Sequence, residues 1–233
     1  MLTHSVTSDI TDEIIASVDA SYKDFQSKLI PGVKNVLGLR SPKAKQIAKK
    51  YANTDTGSEF LRNLPHKYYD ENIVHGYMLG YLNTDAAMLE KSIDNFLPFV
   101  DNWAVCDTMC MNLKSYFKKP VLVYEKVKKW AKSDMTYTVR FALVALLAYY
   151  TKESSVAEAL DIALSVKSDE YYIKMAQAWL ISVALVKFYD IALPYIESKR
   201  FDAWVHNKGI QKARESYRIS ATQKDYLNSL KAK

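Results

Sequence analysis

The chain has 233 residues and a mass of 26.7 kDa, with 49% hydrophobic and 25% charged residues. That composition excludes global disorder and is enough to bury a large core without disulfides. Only two cysteines occur, Cys106 and Cys110, four residues apart in a helical stretch. Their Cβ atoms are then ~6 Å apart, too far for an unstrained bridge, and both are expected as reduced thiols.

Six Gly and six Pro are few for this length and favour long helices over tight-turned sheets. Ile10, Ile14, Ile15, Val18 and Tyr22 mark one face of a first predicted helix, with Ser8 or Thr11 as its N-cap. The stretch SPKAKQIAKKYA begins a second helix, with Pro42 at the first helical position. Helical spacing continues through ENIVHGYMLGYL, TDAAMLEKSIDNFL, DNWAVCDTMCMNL, PVLVYEKVKKWAK, DMTYTVRFALVALLAYY, SVAEALDIALSV, DEYYIKMAQAWLISVALVKFY and residues 202–216. No segment alternates with period two, so the fold class is all-α. The longest apolar run, Phe141–Tyr150, is too short to span a bilayer. The opening MLTHSVTSDITDE has no cationic start followed by an apolar core, so neither a signal peptide nor a membrane partner is expected.

The polar breaks recur. Ser133-Asp134 and Ser168-Asp169 are each expected to cap a long, mostly buried helix, 35 residues apart, and Tyr137 and Tyr172 each follow the serine by four. Two helices per unit of this length is the pattern of an α-solenoid. Without the tetratricopeptide consensus, HEAT-like helix pairs forming one superhelical domain over residues 1–233 are expected, with a concave face that binds extended ligands.

Charge is uneven. Net charge is +6, the first 31 residues are acidic, and basic residues cluster centrally and C-terminally. Residues 114–132 hold seven Lys, including Lys114, Lys118 and Lys119, and the single acid Glu125. Nine Lys or Arg, Lys212 and Arg214 among them, follow from Lys199. Such clusters are either solvated helix faces or a phosphate-binding surface.

Four residues are candidates for chemistry. Trp103 and Asp107 share a helix face at i, i+4 in DNWAVCD. Arg140 lies inside the apolar run MTYTVRFALVALL, and Trp179 inside KMAQAWLISVAL. A charge in an apolar helix needs a partner. The structural alternative is therefore an Asp107–Arg140 salt bridge, with both tryptophans in the core. His4, His66, His75 and His206 are scattered. No metal-ligand spacing, Walker A, GxGxxG or HExxH pattern is present.

Several motifs together resemble the HEAT-like-repeat DNA alkylation repair family, the AlkD-type DNA glycosylases. VLGLRSPKAKQIAKK matches its Gly-x-x-x-Pro segment leading into a basic helix, and FVDNWAVCD its Trp-x-x-x-Asp pattern. TYTVRFALVALL matches the helix with an inward Arg, and IKMAQAWLISVAL the helix with a second Trp. HNKGIQKARESYRIS resembles the ending of a bacterial branch.

The resemblance implies a base-excision glycosylase, hydrolysing the N-glycosidic bond of N3- or N7-alkylated purines. Its partner would be double-stranded DNA containing alkylated bases. It implies Asp107, Trp103 and Trp179 as catalytic residues, with Arg140, Lys114, Lys118, Lys119, Lys212 and Arg214 binding DNA. No cofactor or metal is implied, and a cytoplasmic monomer of bacterial type, nucleoid-associated when bound to DNA, is expected. One position departs from the family. Three residues after the second Trp, where active members carry Arg, this chain has Ser182. The alternatives are a non-catalytic DNA-binding paralogue, since branches of the family keep the fold with little or no activity, and a protein-interaction solenoid.

Overall fold

A computed structural model describes residues 8–118 and 120–232. The described residues form fifteen α-helices and one 3-10 turn, with no strand. None of these helices is long and apolar enough to cross a membrane. The chain divides into two compact units, Met1–Tyr116 and Phe117–Lys233.

The first unit contains α1 (Ser8–Ile15), α2 (Ala20–Leu29), α3 (Ser41–Tyr51), α4 (Asp55–Arg62), α5 (Tyr69–Tyr81), α6 (Ala86–Phe96) and α7 (Trp103–Asn112). The single first helix expected from sequence is in fact two. Ile10 and Ile14 are fully buried, but Ile15 and Val18 are 45% and 41% exposed. The break has a polar cause at Asp19. Its carboxylate accepts the Tyr22 N–H at 3.0 Å and caps α2, while the Arg40 Nε–H donates to its other oxygen at 2.8 Å. The Ser21 hydroxyl, which donates to the same carboxylate at 2.7 Å, together with the Tyr22 and Arg40 bonds holds the Asp19 carboxyl well below the usual carboxylate range. Thr11 lies inside α1 rather than capping it, and its hydroxyl donates to Glu71 on α5. Pro42 stands second in α3, after Ser41. Helix α4 is short and carries Gly57 in its first turn, and the apolar spacing does not mark it.

Helices α3, α5 and α7 pack side by side in this unit, α3 on α5 and α5 on α7. Gly80 lets α5 approach α7 closely, because a Cβ there would fall 2.0 Å from the Asn112 side chain. Long-range polar contacts fix the loops. The buried Asp70 carboxylate accepts the N–H groups of Leu37, Gly38 and Leu39 at 2.6, 3.2 and 2.6 Å. Gly38 has φ +99, and a Cβ there would lie 2.5 Å from the Asp19 carbonyl oxygen, so glycine is required where the chain turns into α3. His66 and His75 share a hydrogen bond of 2.9 Å, with His66 stacked on Phe60 and His75 on Phe96.

The second unit contains α9 (Pro120–Trp130), α10 (Thr136–Tyr149), α11 (Val156–Ser165), α12 (Tyr171–Lys187), α13 (Tyr189–Glu197), α14 (Ala203–Arg214) and α15 (Ala221–Ser229); the one-turn α8 (Lys114–Phe117) straddles the boundary. Residues 138–147 of α10 are all buried, as expected for a helix apolar on every side. Helix α10 packs on α12 and α12 on α14, with α9 against α10, α11 and α13 against α12, and α15 against α14. Neither α13, which has Pro194 inside it, nor α15 stands out as a separate helix in the sequence.

The 35-residue recurrence has a structural counterpart, one step away from its predicted form. Ser133 and Ser168 are not N-caps, since Met135 and Glu170 hold those positions without side-chain bonds. Each serine Oγ instead accepts the N–H two residues on, Met135 and Glu170 respectively, both at 3.1 Å. The same turn therefore launches α10 and α12. Tyr137 and Tyr172, at equivalent places, meet with ring centroids 5.9 Å apart.

Candidate nucleic-acid site

Asn102 starts α7 by accepting the Val105 N–H on its side-chain oxygen at 3.0 Å. Trp103 is thus the first helical residue and Asp107 follows one turn later. Both are half-buried, whereas Val105, Cys106, Met109 and Cys110 of the same helix are buried. A core position for Trp103 therefore does not hold. Its indole N–H donates to the Leu29 carbonyl at the end of α2, 3.2 Å away, which orients the ring from outside its own helix. Sequence spacing carries no sign of that contact, 74 residues distant. Cys106 and Cys110 are not disulfide-bonded, and burial pushes the Cys110 thiol well up. Among the described residues no three His, Cys, Asp or Glu side chains come together as a metal site.

Arg140 lies in the second turn of α10 and is 6% exposed. Its Nη1–H donates to the Tyr172 carbonyl on α12 at 2.7 Å, and its guanidinium carbon lies 5.9 Å from the Tyr172 ring centroid. The charge in an apolar helix is thereby hydrogen-bonded, as burial demands. Trp179 stands in the middle of α12 and is half-buried, so it too lies outside the closed core. Ser182 is buried, and its hydroxyl donates to the Trp179 carbonyl at 2.8 Å. It presents no group to a phosphate.

The basic residues separate into two kinds. Lys114 and Lys118 are exposed, and Lys119 lies outside the described residues. Lys126 and Lys128 of the same run lie over the rings of Trp130 and Tyr124, and Lys128 also pairs with Glu125 and Glu158 at 2.9 and 3.1 Å. Part of the central run is therefore engaged in packing. In the last turn of α14, Lys212 is half-buried, and Arg214 donates to the Asn228 side chain at 2.9 Å, tying down α15.

Aromatic and acidic side chains on α7, a buried Arg on α10 and a second half-buried Trp on α12 form the set of the sequence resemblance, in its order. The family model described as DNA alkylation repair enzyme matches residues 10–212, a span that includes all four and runs through both compact units. No curated protein matches the chain. On the extent of that match, the chain belongs to the DNA alkylation repair enzyme family.

Proposed function

We propose that the protein is an alkylpurine DNA glycosylase that excises positively charged N3- or N7-alkylated purines from duplex DNA. In this reading residues 1–233 act as one domain of HEAT-like helix pairs, a monomer working without a cofactor. The observation that supports it most is the face of α7, where Trp103 and Asp107 lie one turn apart and only half-buried, within the span matched by the repair family.

The chemistry suits those groups. A purine alkylated at N3 or N7 already carries positive charge and leaves without being protonated. As the glycosidic bond breaks, charge develops on the sugar toward an oxocarbenium ion. A fixed carboxylate beside that centre stabilises it, and Asp107 supplies the carboxylate or holds the attacking water. The faces of Trp103 and Trp179 attract the same positive charge, each contributing about 0.5–2 kcal/mol. Arg140 grips a backbone phosphate, and the exposed Lys114 and Lys118 add contacts that do not depend on sequence.

Ser182 favours a second reading. Its hydroxyl is bonded to the Trp179 carbonyl, so the phosphate contact made by Arg in active members has no substitute at this position. A DNA-binding paralogue without glycosylase activity would tolerate that change. Two measurements on the wild-type protein separate the readings. The glycosylase releases free 7-methylguanine from methylated duplex and leaves duplex containing neutral hypoxanthine or uracil intact. The non-catalytic paralogue binds duplex with steep salt dependence and releases nothing. A protein-interaction solenoid shows neither behaviour.

A further inference from the structure

Four aromatic rings run across the beginnings of three helices of the second unit, α10, α12 and α14. Tyr137 on α10 meets Tyr172 on α12 with centroids 5.9 Å apart. Tyr172 meets its neighbour Tyr171 edge-on at 5.2 Å, and Tyr171 meets Trp204 on α14 at 5.8 Å. The outer end of the run is open, with Tyr171 56% and Trp204 39% exposed. Lys174 closes over Trp204 at 5.7 Å and pairs with Asp202 at 3.0 Å, which pins the start of α14 to α12.

Arg140 follows Tyr137 by three residues and reaches across to Tyr172 in two ways: a hydrogen bond of 2.7 Å from Nη1 to the Tyr172 carbonyl, and the approach of the guanidinium to the Tyr172 ring. The carbonyl has a second lone pair, so it serves Arg140 without leaving the helix. A carbonyl accepting from one nitrogen and a ring beside the planar guanidinium both bear on the orientation of its plane, and with it on the direction in which its N–H groups point.

We propose that Tyr172 is a positioning residue for Arg140, with the ring run Tyr137–Tyr172–Tyr171–Trp204 setting the orientation in which Arg140 meets a DNA phosphate. The phosphate half of this inference rests on the function proposed above; the orientation of the guanidinium does not. The phenol hydroxyl has no part in the arrangement, while the ring does. The repeated turn at Ser133 and Ser168 supplies the register, because it places Tyr137 and Tyr172 at equivalent points of α10 and α12.

Three variants test this: Tyr172→Leu keeps apolar bulk without a ring, Tyr172→Phe keeps the ring, and Arg140→Ala removes the group being positioned. The first readout is the side-chain 15N spectrum of Arg140, assigned by its disappearance in Arg140→Ala. Tyr172→Leu keeps the backbone carbonyl that accepts from Nη1 and removes only the ring, so it is expected to shift the Arg140 Nη signals, and Tyr172→Phe to leave them as in the wild type. The second readout is the salt dependence of binding to undamaged duplex. Arg140→Ala should lower the log–log slope by about 0.9, the value for one phosphate contact. Tyr172→Leu should lower it part of the way, and should add nothing in the Arg140→Ala background. Unchanged Arg140 signals in Tyr172→Leu overturn the proposal, as does a decrease in slope that adds to that of Arg140→Ala. If Arg140→Ala leaves the slope unchanged, the phosphate role proposed for Arg140 fails, and the spectrum alone decides whether Tyr172 holds it.

Discussion

The two units reach helical packing by different means. In the second, equivalent serine turns launch α10 and α12, and equivalent tyrosines touch, so neighbouring helices are related by a repeat of local geometry. In the first, single long-range polar contacts hold the pieces. Asp70 gathers three amides from residues 37–39, His66 bonds His75, and the Leu29 carbonyl takes the Trp103 indole N–H. Repetition spreads stability over many small contacts, whereas the first unit concentrates it in a few buried groups. The first unit is therefore the one that single substitutions or a change of pH should open.

The largest stability effect is expected at Asp70. Asp70→Ala leaves three amides without their acceptor, and at about 1–3 kcal/mol for each buried orphan the cost should be at least about 3 kcal/mol. Denaturant unfolding measures it. A cost below about 1 kcal/mol would show that water replaces the carboxylate and that the contrast between the units is overstated.

The histidine pair should give the next largest effect. Burial lowers His66 from 6.5 to about 4 and lowers His75 as well. Because the folded-state values are depressed, the unfolded chain takes up protons first as pH falls. Stability is complete above about pH 6.5, declines as pH falls from there toward 4, and levels off below that for His66. The His66 contribution alone amounts to ~3 kcal/mol across this window. Melting temperatures from pH 7 to pH 4, with His66→Gln as the flattened control, check the sign and the size. Equal slopes in the two proteins would remove the pair from the account.

The smallest effects belong to the repeat. Ser133→Ala and Ser168→Ala should each cost only about 0.5–1 kcal/mol, the worth of one hydrogen bond at the surface. A cost at Ser168 equal to that at Asp70 would break the comparison between the units. On the binding side, exchanging the exposed Lys114 and Lys118 for Gln should lower the salt slope for damaged and undamaged duplex alike, by about 0.9 for each phosphate no longer neutralised.

The same contrast governs what could be read in the sequence. The all-helical class, the boundaries of α10 and α12 and the 35-residue recurrence were legible because they depend on local periodicity and on short polar breaks. The split between α1 and α2 was not, because the Arg40 that stabilises it through Asp19 lies 21 residues further on. Helix α13 was hidden by Pro194 and α4 by its brevity. At the candidate site, spacing alone put Trp103 and Asp107 on one face of α7. Neither the Leu29 carbonyl that turns Trp103 nor the Tyr172 contacts that hold Arg140 could be inferred, since both come from other helices. The basic runs were visible as counts. Which lysines already serve Trp130, Tyr124 or Glu158 was not.

In the proposed mechanism Asp107 acts by its charge on a cationic leaving group. The direct measurement is single-turnover release of 7-methylguanine from methylated duplex by the wild type and by Asp107→Asn, with DNA affinity and melting temperature recorded for both. Asparagine keeps the size and hydrogen-bonding capacity of the side chain and removes the anion. Release by Asp107→Asn should be slower by about 10²–10³, the usual cost of one preorganised electrostatic contact, with affinity nearly unchanged. A destabilised Asp107→Asn protein that releases the base as fast per folded molecule as the wild type would contradict that mechanism, and would leave Asp107 a structural residue.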